Sequence, residues 1–331
     1  MKITFLGTAS GKPSKHRNVT SIAIELDDSK YILIDCGEGT QNQILKSELK
    51  FNNLLAIYIT HLHGDHIFGL QGLLATINEY RKHDLNIYGP IGIKKYLDST
   101  LCSPYCNVDE YNILVHESND IYKKLNEINF KQNRYIFECC FVTHREFCYA
   151  YKISKKQNNP KIDINKLKPI LERYSDEIKQ LGYNPITKII TKMKEVKQIQ
   201  LSDIELNIND YAFELNSDNI VICLDNCDAS NMAMHFINSN ILIHECTYAV
   251  TDDYETNELE QKAILHGHST NRMAASNALQ LNCNHLILTH FSNRYDFEDG
   301  KMKDENQILE DTNKYFNKDI YCAYDLISFD L

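Results

Sequence analysis

The sequence predicts an α/β fold in one large domain, and three observations lead to that prediction. Short apolar, β-branched segments recur from the first residues to beyond residue 280. Segments with the apolar spacing of a helix lie between some of them. Side chains that can bind a metal follow several of the apolar segments. The chain has 331 residues, of which 43% are hydrophobic, so it can bury a sizeable core.

Each predicted element follows from its local pattern. The first four strands are KITFLG, SIAIEL, YILIDCG and LLAIYIT, and IFGLQGLLATINEYRK is predicted to be a helix. LNIYGP and NILVHES are predicted strands with a helix, IGIKKYLDSTL, between them, and RYIFECCFVTHREFCYAYKI is a predicted strand pair. Three further strands follow late in the chain: NIVICLDNC, NILIHECTY and HLILTHFSNRY.

The stretch between about residues 154 and 209 differs from the rest of the chain. It is rich in Lys and Asn and has no apolar period of two, and we expect helices near Lys166–Leu181 and Pro185–Val196. We therefore expect a single domain over residues 1–331 that carries a variable insert at about 154–209.

Composition restricts the location and the partners of the chain. No run reaches the roughly 18 apolar residues of a membrane helix, and MKITFLGTASG lacks the features of a signal peptide. Eleven cysteines without a disulfide-framework spacing indicate reduced thiols, so we expect a cytoplasmic or equivalent reducing compartment. The net charge of −10 argues against an overall basic surface, so any contact with nucleic acid requires local positive charge.

The segment YITHLHGDHIFG concentrates metal-binding side chains between a predicted strand and a predicted helix. It holds His61, His63, Asp65 and His66. Imidazole nitrogen and carboxylate oxygen are both ligands that suit zinc, so the segment predicts a metal site. Asp35 follows an earlier strand and is a candidate partner for the second ring nitrogen of a ligating histidine.

Three later side chains extend that predicted site. His144, Asp225 and His290 each follow apolar, strand-forming residues, and ligands at the strand ends of one sheet can meet in one cleft. Seven candidate ligands exceed the four of one tetrahedral zinc, so we expect two zinc ions, for which Mn²⁺ or Co²⁺ can substitute. The expected division is His61, His63 and His144 on one ion, Asp65, His66 and His290 on the other, and Asp225 bridging both.

These motifs resemble those of a known family. HLHGDH is the signature of the metallo-β-lactamase superfamily, and further segments resemble tRNase Z (ribonuclease Z), the tRNA 3′-processing endonuclease, in its short form. The further segments are GTASGKPSKHRNVTSI, LIDCGEGTQNQI, IHECTY, HGHST and LTHFSNRY. They run in the family's order from Gly7 to Tyr295, so the resemblance covers nearly the whole chain.

The resemblance implies a fold, an activity and partners. The fold would be an αβ/βα sandwich of two mixed sheets with outer helices. The activity would be zinc-dependent removal of the 3′ trailer of precursor tRNA after the discriminator base, which leaves a tRNA 3′-hydroxyl. The partners would be precursor tRNA and a second copy of the chain in a homodimer, with no membrane.

The resemblance also implies catalytic roles for individual residues. Asp65 would act as a base toward the attacking water in addition to binding metal. His268 of HGHST would protonate the leaving 3′ oxygen, and Glu245 of IHECTY would orient that imidazole and stabilise its charge. His266 is the alternative acid.

Several polar residues near the site are candidates for contact with RNA. Ser292 and Arg294 are expected to hold the scissile phosphate, because arginine suits bidentate phosphate contact. Lys15, Arg17 and Asn18 lie in the P-x-K-x-R-N segment and are expected to contact the RNA backbone.

The insert departs from the family pattern. Many members carry an arm with a Gly-Pro tip that grips the tRNA elbow, whereas Gly182 is the one glycine between Tyr151 and Asn219, and Gly-Pro is absent there. We expect a reduced arm in which the basic run TKIITKMKEVK serves a similar purpose. Its lysines are Lys188, Lys192, Lys194 and Lys197.

Two other functions remain open from the sequence. The same metal pair can hydrolyse another phosphodiester, as relatives in the superfamily do. A non-catalytic RNA-binding module would have lost several ligands, whereas all seven are present here.

The family's G-D-T around the bridging aspartate is LDNCDA in this chain, and its H-E-A-T is His244-Glu245-Cys246-Thr247.

Overall fold

Two mixed sheets of seven strands each form the frame of the protein, as the sequence analysis anticipated. The computed structural model describes residues 1–102, 106, 108–158, 161–183, 186–213, 218–251 and 256–331. The chain divides into two compact units. The larger comprises Met1–Asn126, Ile136–Ile153 and Asn219–Leu331, and the smaller comprises Glu127–Tyr135 and Ser154–Asp218.

The first sheet contains the N-terminal strands. Its strands are Lys2–Gly7 (β1), Ser21–Glu25 (β2), Tyr31–Ile34 (β3), Leu54–Tyr58 (β4), Leu85–Pro90 (β5), Ile113–Ser118 (β6) and Ser328–Asp330 (β20). They are ordered β20-β1-β2-β3-β4-β5-β6. The pairs from β20 to β3 are antiparallel, and those from β3 to β6 are parallel. The four strands first predicted from the sequence are therefore confirmed, together with LNIYGP and NILVHES.

The second sheet contains most of the later strands. They are Tyr122–Asn129 (β7), Asn133–Thr143 (β8), Phe147–Gln157 (β9), Asp218–Cys223 (β14), Ile241–Glu245 (β15), His285–Thr289 (β16) and Asp319–Cys322 (β19). Their order is β19-β16-β15-β14-β9-β8-β7. Strands β14, β15, β16 and β19 are parallel. Their carboxyl ends consequently lie at the same edge of the sheet, where open α/β sheets commonly hold ligands.

The helices follow strands in both halves of the chain. They are Thr40–Lys46 (α1), Gly64–Ile67 (α2), Leu70–Ile77 (α3), Ile93–Leu101 (α4), Ile164–Arg173 (α5), Ser175–Gln180 (α6), Ile186–Val196 (α7), Ser230–His235 (α8), Thr256–Leu265 (α9), Asn271–Gln280 (α10) and Glu305–Asn313 (α11). The helix predicted from IFGLQGLLATINEYRK is shorter than expected and ends at Ile77. Arg81 then donates to the carbonyls of Leu54, His83 and Asp84, which holds the following residues in a turn.

Buried apolar side chains attach the helices to the sheets and the sheets to each other. In α3 the buried residues are Leu70, Leu73, Leu74 and Ile77, which is the spacing of one helix face. Between the sheets, the ring of Tyr58 in β4 stacks on that of Phe137 in β8, with centroids 4.9 Å apart. The Tyr151 hydroxyl in β9 donates to the carbonyl of Ile59 at 2.6 Å.

The smaller unit has a core of its own. It contains α5, α6 and α7 and four short strands, Lys161–Ile162 (β10), Gln198–Gln200 (β11), Glu205–Asn207 (β12) and Ala212–Phe213 (β13). Its buried residues are Leu167, Leu171, Ile178, Ile189, Met193, Leu201, Leu206 and Ile208. The single helix predicted near Lys166–Leu181 is two helices, because the chain leaves helical geometry at Tyr174. Pro185, the first residue of the second predicted helix, lies outside the described residues.

A short two-stranded hairpin follows β16 in the chain. The hairpin joins Phe297–Glu298 (β17) to Lys301–Met302 (β18). All eleven cysteines have free thiols. Over the described part of the chain, no helix combines the length and the apolar character needed to cross a membrane.

Candidate metal centre

The structure brings all seven predicted ligands together where strands end. Their positions are the β4–α2 turn for His61 and His63, helix α2 for Asp65 and His66, the β8–β9 turn for His144, the residues after β14 for Asp225, and the residue after β16 for His290. The loops that follow parallel strands lie at the same edge of the sheet, so residues that are far apart in sequence come together there.

One group of side chains surrounds Asp225 Oδ2. The Nε2 atoms of His61 and His144 each lie 3.7 Å from this oxygen. The same two nitrogens lie 2.9 and 3.2 Å from His63 Nδ1. The potential ligand atoms of these four residues all lie within 4.8 Å of one another, which is a spacing that one ion can join.

A second group surrounds the other carboxylate oxygen, Asp225 Oδ1. The Nε2 atoms of His66 and His290 lie 3.2 and 3.1 Å from it. They also lie 3.4 and 3.5 Å from Asp65 Oδ2. Asp225 thus stands between the two groups and offers one oxygen to each. The arrangement has the division expected from the sequence, while metal binding by these residues stays a prediction.

The buried polar atoms of this centre fit bound cations. His66 Nε2, Asp225 Oδ1 and His290 Nε2 are buried, and none has a hydrogen-bond partner within the described ranges of the chain. Burial raises the pKa of Asp225, but the imidazoles of His290, His66 and His61 outweigh burial and hold this pKa well below its usual range. Imidazole nitrogens and ionised carboxylates together suit Zn²⁺, Mn²⁺ or Co²⁺.

Four of these histidines use their second ring nitrogen for a contact with the protein. His66 Nδ1 lies 2.6 Å from Asp35 Oδ2, which is the contact anticipated for Asp35. The other contacts are His61 Nδ1 with Thr60 Oγ1 at 3.1 Å, His144 Nδ1 with Gly267 O at 2.5 Å, and His290 Nδ1 with Thr247 Oγ1 at 3.0 Å. Such contacts fix the orientation and the tautomer of a ligating ring. Sequence reasoning missed these three partners, although Thr247 and Gly267 lie inside IHECTY and HGHST.

His268 and Glu245 form a pair beside Asp225. His268 Nδ1 lies 3.2 Å from Glu245 Oε2 and 3.7 Å from Asp225 Oδ2. Burial lowers the pKa of His268, but the carboxylates of Glu245 and Asp225 outweigh burial and raise it to about 9. This shift suits an imidazole that donates a proton. His268 also forms a third group of ligand-like spacing with Asp225 and His290, so a role as a ligand is the geometric alternative.

The sequence of this chain is similar to those of known proteins. Ribonuclease Z of Prochlorococcus marinus (strain MIT 9312) is 36% identical to the chain over 300 residues, which cover 89% of this chain and 89% of that protein. The chain belongs to the ribonuclease Z family. The sequence resemblance is thereby confirmed over nearly the full length of this family member.

Solved structures establish the fold of this ribonuclease Z family member. Human tRNase Z, short form, superposes with a TM-score of 0.65 at 23% identity, over 100% of this chain and 99% of that one. The metallo-beta-lactamase fold protein YhfI from Bacillus subtilis gives 0.62 at 14% identity, over 99% and 98%. The expected metallo-β-lactamase fold is therefore confirmed. A family profile described as anti-Pycsar protein Apyc1 also matches residues 1–157.

The P-x-K-x-R-N loop lies next to the metal centre in this member of the ribonuclease Z family. The backbone N–H of Gly11 donates to Asp65 Oδ2 at 2.7 Å, which joins the loop to a predicted ligand. Lys15 is exposed and Asn18 is half-buried, with the Asn18 amide donating to the carbonyl of Glu38 at 2.9 Å. Both side chains remain candidates for contact with RNA.

Arg17 differs from its neighbours, because its side chain is only 1% exposed. The guanidinium lies over the rings of Phe291 and Phe297, 4.8 and 5.0 Å from their centroids. One of its nitrogens, Nη1, donates to Thr8 Oγ1 at 2.7 Å and to Ala323 O at 2.8 Å. The expectation of a direct RNA contact by Arg17 is therefore corrected. Its enclosed guanidinium instead anchors the loop to the body of the protein.

Ser292 and Arg294 follow His290 in the chain. Arg294 is exposed, and its Nε donates to Ser292 Oγ at 3.1 Å. The Arg294 guanidinium lies 5.1 Å from the centroid of the Tyr248 ring, within the range of a cation–π contact. Tyr248 of IHECTY was not identified from the sequence as a site residue.

Proposed function

We propose that this chain is a zinc-dependent endoribonuclease that removes the 3′ trailer of precursor tRNA after the discriminator base and leaves a tRNA 3′-hydroxyl. The observation that carries the proposal is Asp225, which presents one carboxylate oxygen to each of two ligand groups. Membership of the ribonuclease Z family supports the choice of substrate.

In this proposal two zinc ions bind per chain, and Mn²⁺ or Co²⁺ can replace them. His61, His63 and His144 would hold one ion, Asp65, His66 and His290 would hold the other, and Asp225 would contribute to both. Bound ions would supply an activated water and charge stabilisation for the phosphate.

The chain's own residues then move the protons. Asp65 accepts the proton of the attacking water while the water oxygen forms its bond to phosphorus. His268, kept protonated by Glu245, donates a proton to the ribose 3′ oxygen as the phosphorus–oxygen bond breaks. The phosphate stays with the trailer. Ser292 and Arg294 hold the phosphate oxygens during the step.

Lys15 and Asn18 contact the RNA near the cut, and lysines of the smaller unit supply further contacts with the RNA. Lys188, Lys194 and Lys197 are exposed on α7 and directly after it, while Ile189 and Met193 on the same helix are buried. The exposed lysines would supply local positive charge for phosphates in a chain of net charge −10. The insert at about 154–209 would thus act as a reduced tRNA-binding arm on a single catalytic domain.

The assembly and the location follow the family in this proposal. We propose a homodimer, which sedimentation velocity would distinguish from a monomer. The eleven free thiols suit a cytoplasmic or equivalent reducing compartment.

A second candidate is hydrolysis of another phosphodiester. The anti-Pycsar protein Apyc1 profile matches residues 1–157, which include five of the seven proposed ligands. That half of the chain therefore does not separate the two substrates.

Cleavage of a 3′-extended precursor tRNA tests the choice. The proposal expects one cut directly after the discriminator base, with a 3′-hydroxyl on the tRNA and a 5′-phosphate on the trailer, both mapped by sequencing and end-labelling. Inert precursor tRNA alongside turnover of a small diester such as bis(p-nitrophenyl) phosphate would favour the second candidate instead.

A further inference from the structure

Arg145 is a second exposed arginine at the metal centre, and neither the sequence motifs nor the proposed chemistry uses it. It directly follows His144 in the β8–β9 turn. Its Nη2 lies 2.8 Å from His266 Nδ1, so the guanidinium donates to that ring. Among the described residues, it has no carboxylate partner. In a chain with 45 acidic residues, an arginine without such a partner beside a phosphodiesterase centre fits an anionic ligand.

Local packing gives the Arg145 side chain a defined course. Gly267 has φ +78°, and a Cβ there would lie 3.0 Å from Arg145 Cγ and 2.9 Å from His144 Nδ1. The side chain therefore passes closely over a glycine backbone before it reaches His266. The side chain is thus restrained at its Cγ and at its guanidinium. This restraint lowers the conformational entropy that Arg145 loses when it binds a ligand.

The two arginines follow candidate ligands of different groups. Arg145 follows His144, which faces Asp225 Oδ2, and Arg294 comes shortly after His290, which faces Asp225 Oδ1. The ring centroid of His268 lies 5.2 Å from that of His144 and 5.9 Å from that of His290. An RNA strand that crosses His268 would therefore pass both histidines and the arginines that follow them.

We propose that Arg145, held by His266, binds the phosphate on the 5′ side of the discriminator nucleotide. This inference rests on the proposed function. His268 protonates the leaving 3′ oxygen, so the discriminator ribose lies beside His268. We place Arg145 on the side of that nucleotide because it directly follows His144, whose ring centroid lies 5.2 Å from that of His268. The scissile phosphate remains with Ser292 and Arg294.

A precursor tRNA that carries a neutral methylphosphonate at that one phosphate tests the proposal. Its single-turnover kcat/KM and its Kd are compared with those of the natural RNA for each protein variant. The wild type should lose about tenfold in both, the scale of one charge-assisted hydrogen bond. In Arg145→Ala the ratio between the two RNAs should be about one, and in Arg145→Lys it should be intermediate. A ratio taken within one variant is independent of the fraction of active protein.

Two further variants sharpen the comparison. His266→Ala should reduce the ratio, and adding it to Arg145→Ala should reduce it no further, because both act through one contact. Lys94→Ala removes one exposed charge from α4 and should keep the wild-type ratio.

The proposal is overturned if the wild type does not distinguish the two RNAs. It is also overturned if Arg145→Ala keeps the full ratio, or if Arg294→Ala alone abolishes it. Should the wild type bind precursor tRNA without cutting it, the proposed function fails. The ratio of the two Kd values would still decide the role of Arg145.

Discussion

At the scale of single residues, Asp225 lies between the two groups of candidate ligands and would join them into one centre. Its two oxygens face different sets of histidines, and one of them has no hydrogen-bond partner within the described residues. Asp225→Ala should remove the shared ligand and leave the imidazoles of both groups without the carboxylate between them. We expect loss of bound metal and of cleavage, measured by elemental analysis after dialysis and by single-turnover assay.

Asp228→Ala is the matched control for that variant. It removes a nearby carboxylate that is exposed and caps the backbone of Ser230. It should retain both metal and activity. Full metal content and full activity in Asp225→Ala would refute the assignment of Asp225 as the shared ligand.

His268 tests the division between ligands and acid–base groups. If it protonates the leaving oxygen, His268→Ala should keep both metals and tRNA affinity while kcat falls by about 10²–10⁴. Glu245→Gln should weaken the same step, because it removes the charge that keeps the imidazole protonated. His266→Ala should be milder in this assay.

Metal content measured on the same samples separates the two roles. Loss of metal from His268→Ala would make this residue a ligand, as its spacing to Asp225 and His290 allows. A wild-type rate would move the role of the acid to another group.

At the scale of elements, Asp325 links the P-x-K-x-R-N loop to the end of the chain. Its carboxylate accepts from Thr8 Oγ1 at 2.7 Å, from the backbone N–H of Asn18 at 2.6 Å and from Gln43 Nε2 at 2.9 Å. Burial outweighs these contacts and raises the pKa of Asp325 to about 6. The folded state therefore binds a proton at this site more tightly than the unfolded state does.

The sign of the pH dependence follows from that shift. The ionised carboxylate destabilises the fold above pH 6, and this penalty disappears as the pH falls toward 3.8. Asp325→Asn should remove the titration. Its unfolding free energy relative to wild type should thus rise by about 2 kcal/mol from pH 4 to pH 7, allowing for partial exposure. Urea denaturation of chelator-treated protein measures this difference, with the exposed Asp330→Asn as control. A difference independent of pH would contradict it.

Helix α7 provides the second prediction at this scale. Alanine at Lys188, Lys192, Lys194 and Lys197 should weaken the binding of precursor tRNA and make the salt dependence of log K shallower, because fewer counterions are released. Arginine at the same positions keeps the charge and should restore both. Equal salt slopes for the alanine variant and the wild type would exclude this helix from the RNA interface.

Sequence patterns anticipated the elements better than their ends. The apolar periods located β1 to β5 and α4 because a buried strand or helix face must be apolar. They did not locate the break at Tyr174 or the end of α3 at Ile77. The turn after α3 depends on the hydrogen bond from Arg81 to the carbonyl of Leu54, which the local pattern does not reveal. The burial of Arg17 was equally invisible, because the enclosing rings of Phe291 and Phe297 come from the opposite end of the sequence.

At the scale of the whole molecule, the candidate metal centre brings together residues from His61 to His290. Short motifs sufficed to identify the seven candidate ligands, because these residues lie at or near the ends of strands and these ends meet at one edge. The hydrogen-bond partners that orient them were not predictable, since hydroxyl and carbonyl groups such as those of Thr60 and Gly267 gain their role only through the fold. A ribonuclease Z match that spans the whole chain includes all seven candidate ligands, whereas the Apyc1 profile, at residues 1–157, includes five.

The central claim is that two metal ions, joined through Asp225, carry out the cleavage. Titrating Zn²⁺ into chelator-stripped protein, with single-turnover cleavage of precursor tRNA and bound metal measured at each step, tests it most directly. We expect cleavage to reach its maximum when about two ions are bound per chain, because seven candidate ligands exceed the capacity of one ion. Full cleavage with one ion or fewer per chain would contradict it.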